Sequence, residues 1–128
     1  MDIPHEISSA RYVNFATFRR NGNAVNTPIW AVAINDVLYA FSAADAGKVK
    51  RLRNSPRSRI ARCTVSGKVL DRWHNCEGHL VSDHDEIRKA HAALKKKYGL
   101  QMHLADIGAR VSGRYDKRQY IRISVWTS

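Results

Sequence analysis

The sequence predicts an α+β domain in which antiparallel strands close toward a barrel and helices flank it. Three observations predict this. β-branched and aromatic residues gather in short runs separated by two- or three-residue turn signals, the pattern of successive hairpins. Two segments replace that alternation with helical spacing. The resulting order, β-β-β-α-β-β-α-β, has mostly short links, so neighbours pair antiparallel, and about six strands in a chain of 128 residues tend to close on themselves.

Each element has a local reason. Residues 2–10 read as a short helix, with Asp2 as N-cap and Pro4 tolerated in the first turn. Residues 12–20 (YVNFATFRR) read as a strand and Asn21-Gly22-Asn23 as a turn, because Gly and Asn accept positive φ cheaply. Residues 24–34 (AVNTPIWAVAI) read as one second strand. Pro28 within it has no N–H to donate and marks an edge, a bulge or a break in pairing. Asn35-Asp36 makes the next turn, and residues 37–42 the third strand.

Over residues 43–54 the period changes. Val49 and Leu52 are three apart, Asp45 is placed to cap, and Asn54-Ser55-Pro56 stops the helix. Strands return at 58–65, then a Ser66-Gly67 turn and an extended stretch reaching Val81. Asp83 with Glu86 three residues on predicts a capping box. Ile87, Ala90, Leu94 and Tyr98 give that helix its apolar stripe, and Gly99 suits its C-terminal exit. Residues 100–110 hold a further short helix. The last strand falls in 115–126, where Tyr120, Arg122, Ser124 and Trp126 alternate with Ile121, Ile123 and Val125.

Apolar residues make up 44% of the chain, enough for one core, so residues 1–128 are expected to form a single domain. No stretch approaches the roughly 18 uninterrupted apolar residues of a membrane span. The start, MDIPHEISS, lacks the basic-then-apolar pattern of a secretory signal, so a cytoplasmic location is expected, with Cys63 and Cys76 reduced. The 22 Lys and Arg outnumber the 11 Asp and Glu, giving a net charge of +11. Lys48, Lys50, Arg51, Arg53, Arg57, Arg59 and Arg62 follow one another with no acid among them, and Lys95, Lys96 and Lys97 form a second cluster. Such clusters imply an anionic partner: nucleic acid, a phosphorylated cofactor or an acidic surface. The 48–62 segment has no Phe, Tyr or Trp, which counts against recognition of single strands by stacking.

Other constellations carry less. His74, Cys76 and His79 have an H-x-C-x-x-H spacing, but on a strand 74 and 76 share a face and 79 points to the other, so no metal site is expected. Cys63 reads as a small buried residue, with a Cys–His nucleophile pair as the alternative. His84, His91 and His103 are scattered, as surface or helix contacts. There is no G-x-S-x-G, P-loop or G-x-G-x-x-G motif, which argues against a Rossmann-type dehydrogenase or a P-loop nucleotidase.

Thr17-Phe18-Arg19, Gly22, Thr27-Pro28-Ile29-Trp30, Leu38-Tyr39, residues 47–53 (GKVKRLR) and Lys97-Tyr98-Gly99 occur in an order and spacing that is similar, over residues 11–115, to one family. The chain resembles the pyridoxamine 5′-phosphate oxidase-like split β-barrel superfamily, in particular its small branch labelled as dependent on coenzyme F(420). The resemblance implies a six-or-so-stranded antiparallel split β-barrel with flanking helices. It also implies an oxidoreductase that binds the deazaflavin coenzyme F(420) or FMN in the cleft of a homodimer and exchanges hydride with a small molecule. Carried onto this sequence, the implied cofactor-binding residues are Asn26, Thr27, Pro28, Ile29 and Trp30 along the ring, and Ser42, Lys48, Lys50 and Arg51 at the phosphate. No catalytic acid or base is implied, because the ring carries the chemistry. Tyr12, Phe15, Trp73 and Tyr98 are candidate liners of the substrate cleft, with packing in the core as the alternative, and the favoured one, for each. Lys95, Lys96 and Lys97 are candidates to meet the acidic tail of the deazaflavin. Two other functions stay open: a cofactor-carrying or heme-related protein on the same fold, and a basic module that binds phosphate or nucleic acid.

Overall fold

A computed structural model describes residues 3–126. Its elements are α1 (His5–Ser8), β1 (Tyr12–Phe18), β2 (Ala24–Ile29), β3 (Val32–Ile34), β4 (Val37–Ala43), α2 (Gly47–Asn54), β5 (Arg57–Cys63), β6 (His74–Val81), α3 (His84–Tyr98), α4 (Leu100–Val111) and β7 (Arg118–Val125). The strands form one antiparallel sheet in the order β2-β1-β5-β6-β7-β4-β3. β2 and β3 are its two edges, yet only Trp30 and Ala31 lie between them in sequence. Three residue steps span at most about 11 Å. The sheet therefore curls until its edges almost meet without pairing, which is a split barrel.

Residues 24–34 thus form two strands on opposite edges and not one. The break falls at Trp30-Ala31, while Pro28 sits within edge strand β2 opposite Asn14. The cause lies at the end of α3. The Tyr98 hydroxyl accepts from the Ala31 N–H at 3.0 Å, and the carbonyls of Ala31 and Arg11 lie 3.0 and 2.9 Å from the same oxygen. Lys97 Nζ donates to the carbonyls of Ala10 and Ala31 at 2.7 and 2.6 Å. A backbone held this way is withdrawn from strand pairing.

Other boundaries move for similar local reasons. α1 is shorter than 2–10, and Asp2 lies outside the described residues. β4 runs to Ala43 because the Ala44 N–H donates to the Lys117 carbonyl at 2.7 Å; α2 then starts after Ala46, and Asp45 is not its cap. β5 ends at Cys63 because Thr64 opens a turn, its side-chain oxygen accepting from the Lys68 N–H. A 3₁₀ turn at Tyr115–Lys117 precedes β7. Asp83 caps α3, accepting from the Glu86 N–H at 2.8 Å. The return half of the expected capping box is missing: the Glu86 carboxylate accepts from Tyr39 at 2.6 Å and Arg122 at 2.8 Å.

Two apolar clusters hold the domain. One fills the barrel with Val13, Phe15, Leu38, Ile60, Ile121 and Ile123 among others. The second lies between the outer face of the sheet and α3 and α4, with Tyr39, Ala90, Leu94, Tyr98, Met102 and Tyr120. Buried Asp106 ties α4 down, accepting from Arg118 at 2.6 Å and pairing with His91 Nε2 at 2.8 Å. α2 lays Leu52 on the barrel core at Gly78, where an added Cβ would stand 3.0 Å from both Leu52 and Phe15. Among the described residues no helix is long and apolar enough to cross a membrane.

Candidate functional site

An open cleft of about 380 Å³ lies beside the split, where β2 turns toward β3. It is lined by Pro28 and Ile29 of β2, Trp30 of the crossover, Tyr12, Phe41, Lys48, Val65 and Ala105. Seven of these eight side chains are apolar, aromatic or small, and Lys48 is the one charged group, while polar and nonpolar atoms share the wall almost equally. That composition and size are those of a small-molecule site. The elements come together because β1 and β2 are paired, α2 follows β4 directly, and α4 returns from α3 over the outer face.

Lys48 is half-buried in that wall, and burial followed by the charge of Arg51 pulls its pKa down from the ordinary lysine value. Among the described residues no acid pairs with it. Arg51, one turn on, donates from Nε to Thr17 Oγ1 at 2.6 Å. Burial and then Arg19 lower its pKa as well. Its guanidinium folds back over Gly47, where a Cβ would stand 2.7 Å from Nη1. The first turn of α2 carries no acid, and no side chain caps it. The helix start, an ammonium and two guanidinium groups thus concentrate positive potential, and among the described residues no carboxylate forms an ion pair with them. An anion with several oxygens matches this donor set.

Of the residues expected to bind a cofactor, Pro28, Ile29, Trp30 and Lys48 line the cleft together. Arg51 stands beside Lys48 but is anchored to Thr17. Asn26 is exposed and Thr27 half-buried on the edge strand. Ser42 is buried, and strand alternation puts it on the face opposite Phe41, with Leu38 and Ala40 of the barrel core. Lys50 is exposed on α2. Trp30 stacks on Tyr98 with centroids 4.8 Å apart, so one of its faces is already covered.

Among the expected liners, Tyr12 is in the cleft wall, Phe15 is wholly inside the barrel, and Trp73 lies under Arg59. Tyr98 is buried in the clamp, its hydroxyl pushed up to about 12 mainly by burial. Lys97 is spent on backbone carbonyls, while Lys95 and Lys96 remain exposed. Phe41, Val65 and Ala105 are lining residues that sequence reading missed. They come from three distant segments, and no local pattern links them. Opposite Pro28 on β1, the Asn14 side-chain N–H₂ donates to the Gly67 carbonyl at 2.8 Å, and its buried Oδ1 has no partner among the described residues.

The remaining motifs disperse. His74 faces Glu6 at 3.3 Å, Cys76 contacts Ser58 and His79 contacts Glu77. Burial pushes the Cys76 thiol up to about 12 and raises Cys63 as well, so neither presents the thiolate that a nucleophile needs. The basic segment does not form one face. Arg51 turns inward, Arg57 lies over Phe18, Arg59 over Trp73, and Arg62 pairs with Asp71.

No protein-family model matches the chain, and no curated protein does. Solved structures do. A heme storage protein from Vibrio cholerae superposes with a TM-score of 0.69 at 12% identity, over 100% of this chain and 93% of that one. A Listeria innocua protein assigned as a pyridoxamine 5′-phosphate oxidase gives 0.63 at 11%, over 95% and 89%. This chain shares with them the fold, a curled antiparallel split barrel flanked by helices. An FAD-binding protein from Mesorhizobium loti gives 0.60 at 16%, over 94% and 83%. Split barrels of this kind therefore include proteins described as binding flavin and as storing heme, and the likeness at these identities concerns architecture.

Proposed function

We propose that this split barrel is an oxidoreductase that binds a phosphorylated flavin-type cofactor, coenzyme F(420) or FMN, in the cleft beside β2. The observation that carries the reading is the half-buried, unneutralised Lys48 in the wall of a cleft whose other lining side chains are apolar, aromatic or small, with Arg51 one turn away. Those two cations and the start of α2 would hold the phosphate; Ser42, turned to the barrel side of β4, takes no part in it. Pro28, Ile29 and Trp30 would flank the ring, with Asn26 and Thr27 beside them on the open edge of β2; Lys50 would add positive potential from outside. The cofactor supplies hydride exchange with a small molecule. The chain's own residues bind and orient it, and the side chains of Tyr12, Ile29, Trp30 and Phe41 keep water from one side. In this reading a second copy closes the open side of the cleft, as a homodimer, and the protein works in the cytoplasm.

Titration of the purified protein with FMN and with oxidised and reduced coenzyme F(420), followed by ring fluorescence, tests the proposal. Saturable binding of one of them is expected, and K48E should weaken it at least tenfold while leaving the circular dichroism spectrum unchanged. Binding that K48E does not alter would move the phosphate elsewhere. Absence of binding for both cofactors would end this reading.

A further inference from the structure

Four large apolar side chains of α4 are exposed: Leu100 by 70%, Leu104 by 58%, Ile107 by 46% and Val111 by 84%. At 3.6 residues per turn they fall in one stripe about 60° wide that runs along about 17 Å of the helix. The opposite side of α4 is anchored through buried Met102 and Asp106, so the stripe faces straight outward. Its centre lies about 130° around the helix from Ala105, the α4 residue in the cleft wall, so stripe and cleft are separate surfaces. We infer that this stripe docks the protein on an anionic lipid bilayer, with α4 lying along the membrane surface and not crossing it.

Charge complementarity selects that partner. Between Arg88 and Arg114 the only acid is Asp106, which is buried and bound to Arg118. Exposed cations frame the stripe. Lys95 and Lys96, at the end of α3, precede it, and Arg114 follows it. Arg110 stands on one flank beside His103. Arg11 stands on the other, its Nη2 donating to Gln101 Oε1 at 2.6 Å. A line of aliphatic side chains framed by cations is the pattern of a helix that beds its apolar face at the boundary of headgroups and acyl chains, while Lys and Arg meet anionic headgroups. Each Lys or Arg held near such a surface strengthens binding roughly fivefold. Lys95 and Lys96 thereby gain a role, whereas Lys97 beside them is spent on backbone carbonyls.

The area points the same way. The four side chains expose on the order of 400 Å², more than the scattered apolar exposure of an ordinary surface. That is about half of what a standard protein interface takes from each partner. They stand on the convex side of a helix, and none is the aromatic or arginine anchor on which protein interfaces concentrate their energy. A bilayer requires neither a matching shape nor a larger area.

Co-sedimentation of the full chain with lipid vesicles tests this, and no cofactor is needed, so the result is independent of the cleft reading. Vesicles of phosphatidylcholine and phosphatidylglycerol in equal parts are expected to bind at least tenfold more tightly than vesicles of phosphatidylcholine alone, and added salt should weaken the binding. L104Q/I107Q should lose at least tenfold on the mixed vesicles with an unchanged melting temperature, because both side chains are exposed; being neutral, the change isolates the apolar contribution. K95E/K96E should lose at least tenfold as well. Cys63 and Cys76 are buried, so an environment-sensitive fluorophore can be placed on L104C, and its emission should shift to the blue with the mixed vesicles. L104Q/I107Q that binds like the wild type would overturn the inference, leaving only the attraction of a net charge of +11 for an anionic surface. Equal binding to both kinds of vesicle, or binding to neither, would overturn it too. If a second copy of the chain covers the stripe instead, vesicles do not bind and L104Q/I107Q changes the sedimentation coefficient of the protein alone.

Discussion

Two basic regions of this barrel use the same residue types in opposite ways. At the junction of α3, α4 and β7 the cations have partners: Arg118 holds Asp106, which also meets His91, Arg122 holds Glu86, and Lys97 holds two carbonyls. At the start of α2, Lys48 feels the charge of Arg51 and Arg51 that of Arg19, and among the described residues no carboxylate pairs with Lys48 or Arg51. Paired cations fix the fold, because removing one side strands a buried charge. Unpaired, half-buried cations cost stability and are retained where a ligand completes them. The difference separates cations with counter-ions from cations without them in a chain whose net charge of +11 does not.

The largest test of this contrast is D106A. It leaves Arg118 buried without its counter-ion and should cost about 3–5 kcal/mol in urea unfolding. Acid titration adds a sign. Burial pushes the Asp106 carboxyl up, but hydrogen bonds from Arg118 and His91 outweigh it and hold the pKa below the usual value. Its contribution is therefore fully present above the unfolded carboxylate pKa of about 3.9 and is lost as pH falls through the lower folded value. D106N should flatten the acid limb of the stability curve; an unchanged limb would mean that other carboxylates govern it.

Next in size is Tyr98→Phe, which strips the crossover of the hydroxyl that Ala31 uses. A loss of about 1–3 kcal/mol is expected by thermal or urea denaturation. At the other region the sign reverses. K48M removes a desolvated, unneutralised ammonium, and the unliganded protein should hold its stability or gain up to about 1 kcal/mol, while phosphate affinity falls at least tenfold. A clear loss of stability in K48M would place Lys48 with the structural cations. The smallest effect belongs to G47A. Its Cβ occupies the space of the Arg51 guanidinium and displaces a flexible end, so phosphate affinity should drop a few-fold with an unchanged melting temperature.

Much of this was legible along the chain because it depends on neighbours. Period-two runs gave most strands, Asp83 announced the start of α3, and Gly99 its end, at φ 56°. The misses share one cause. Glu86 was paired by sequence rule with the helix start, but Tyr39 and Arg122 from other strands captured it. Residues 24–34 alternate like one strand, and only the Lys97-Tyr98 clamp from α3 divides them. Of the site, Lys48 and the Pro28-Ile29-Trp30 run were readable from motif. Phe41, Val65 and Ala105 were not, since a cleft wall is assembled from segments that share no local pattern.

By itself the sequence determined the alternation of strands and helices and the excess of positive charge, because backbone propensity and side-chain burial act over a few residues. Only the tertiary structure decided which strands became edges, which lysines and arginines found counter-ions, and which apolar stripe stayed uncovered. Those outcomes depend on distances between segments far apart in the chain, such as Lys97 and Ala10, 87 residues apart, and such distances are set by how the whole sheet curls.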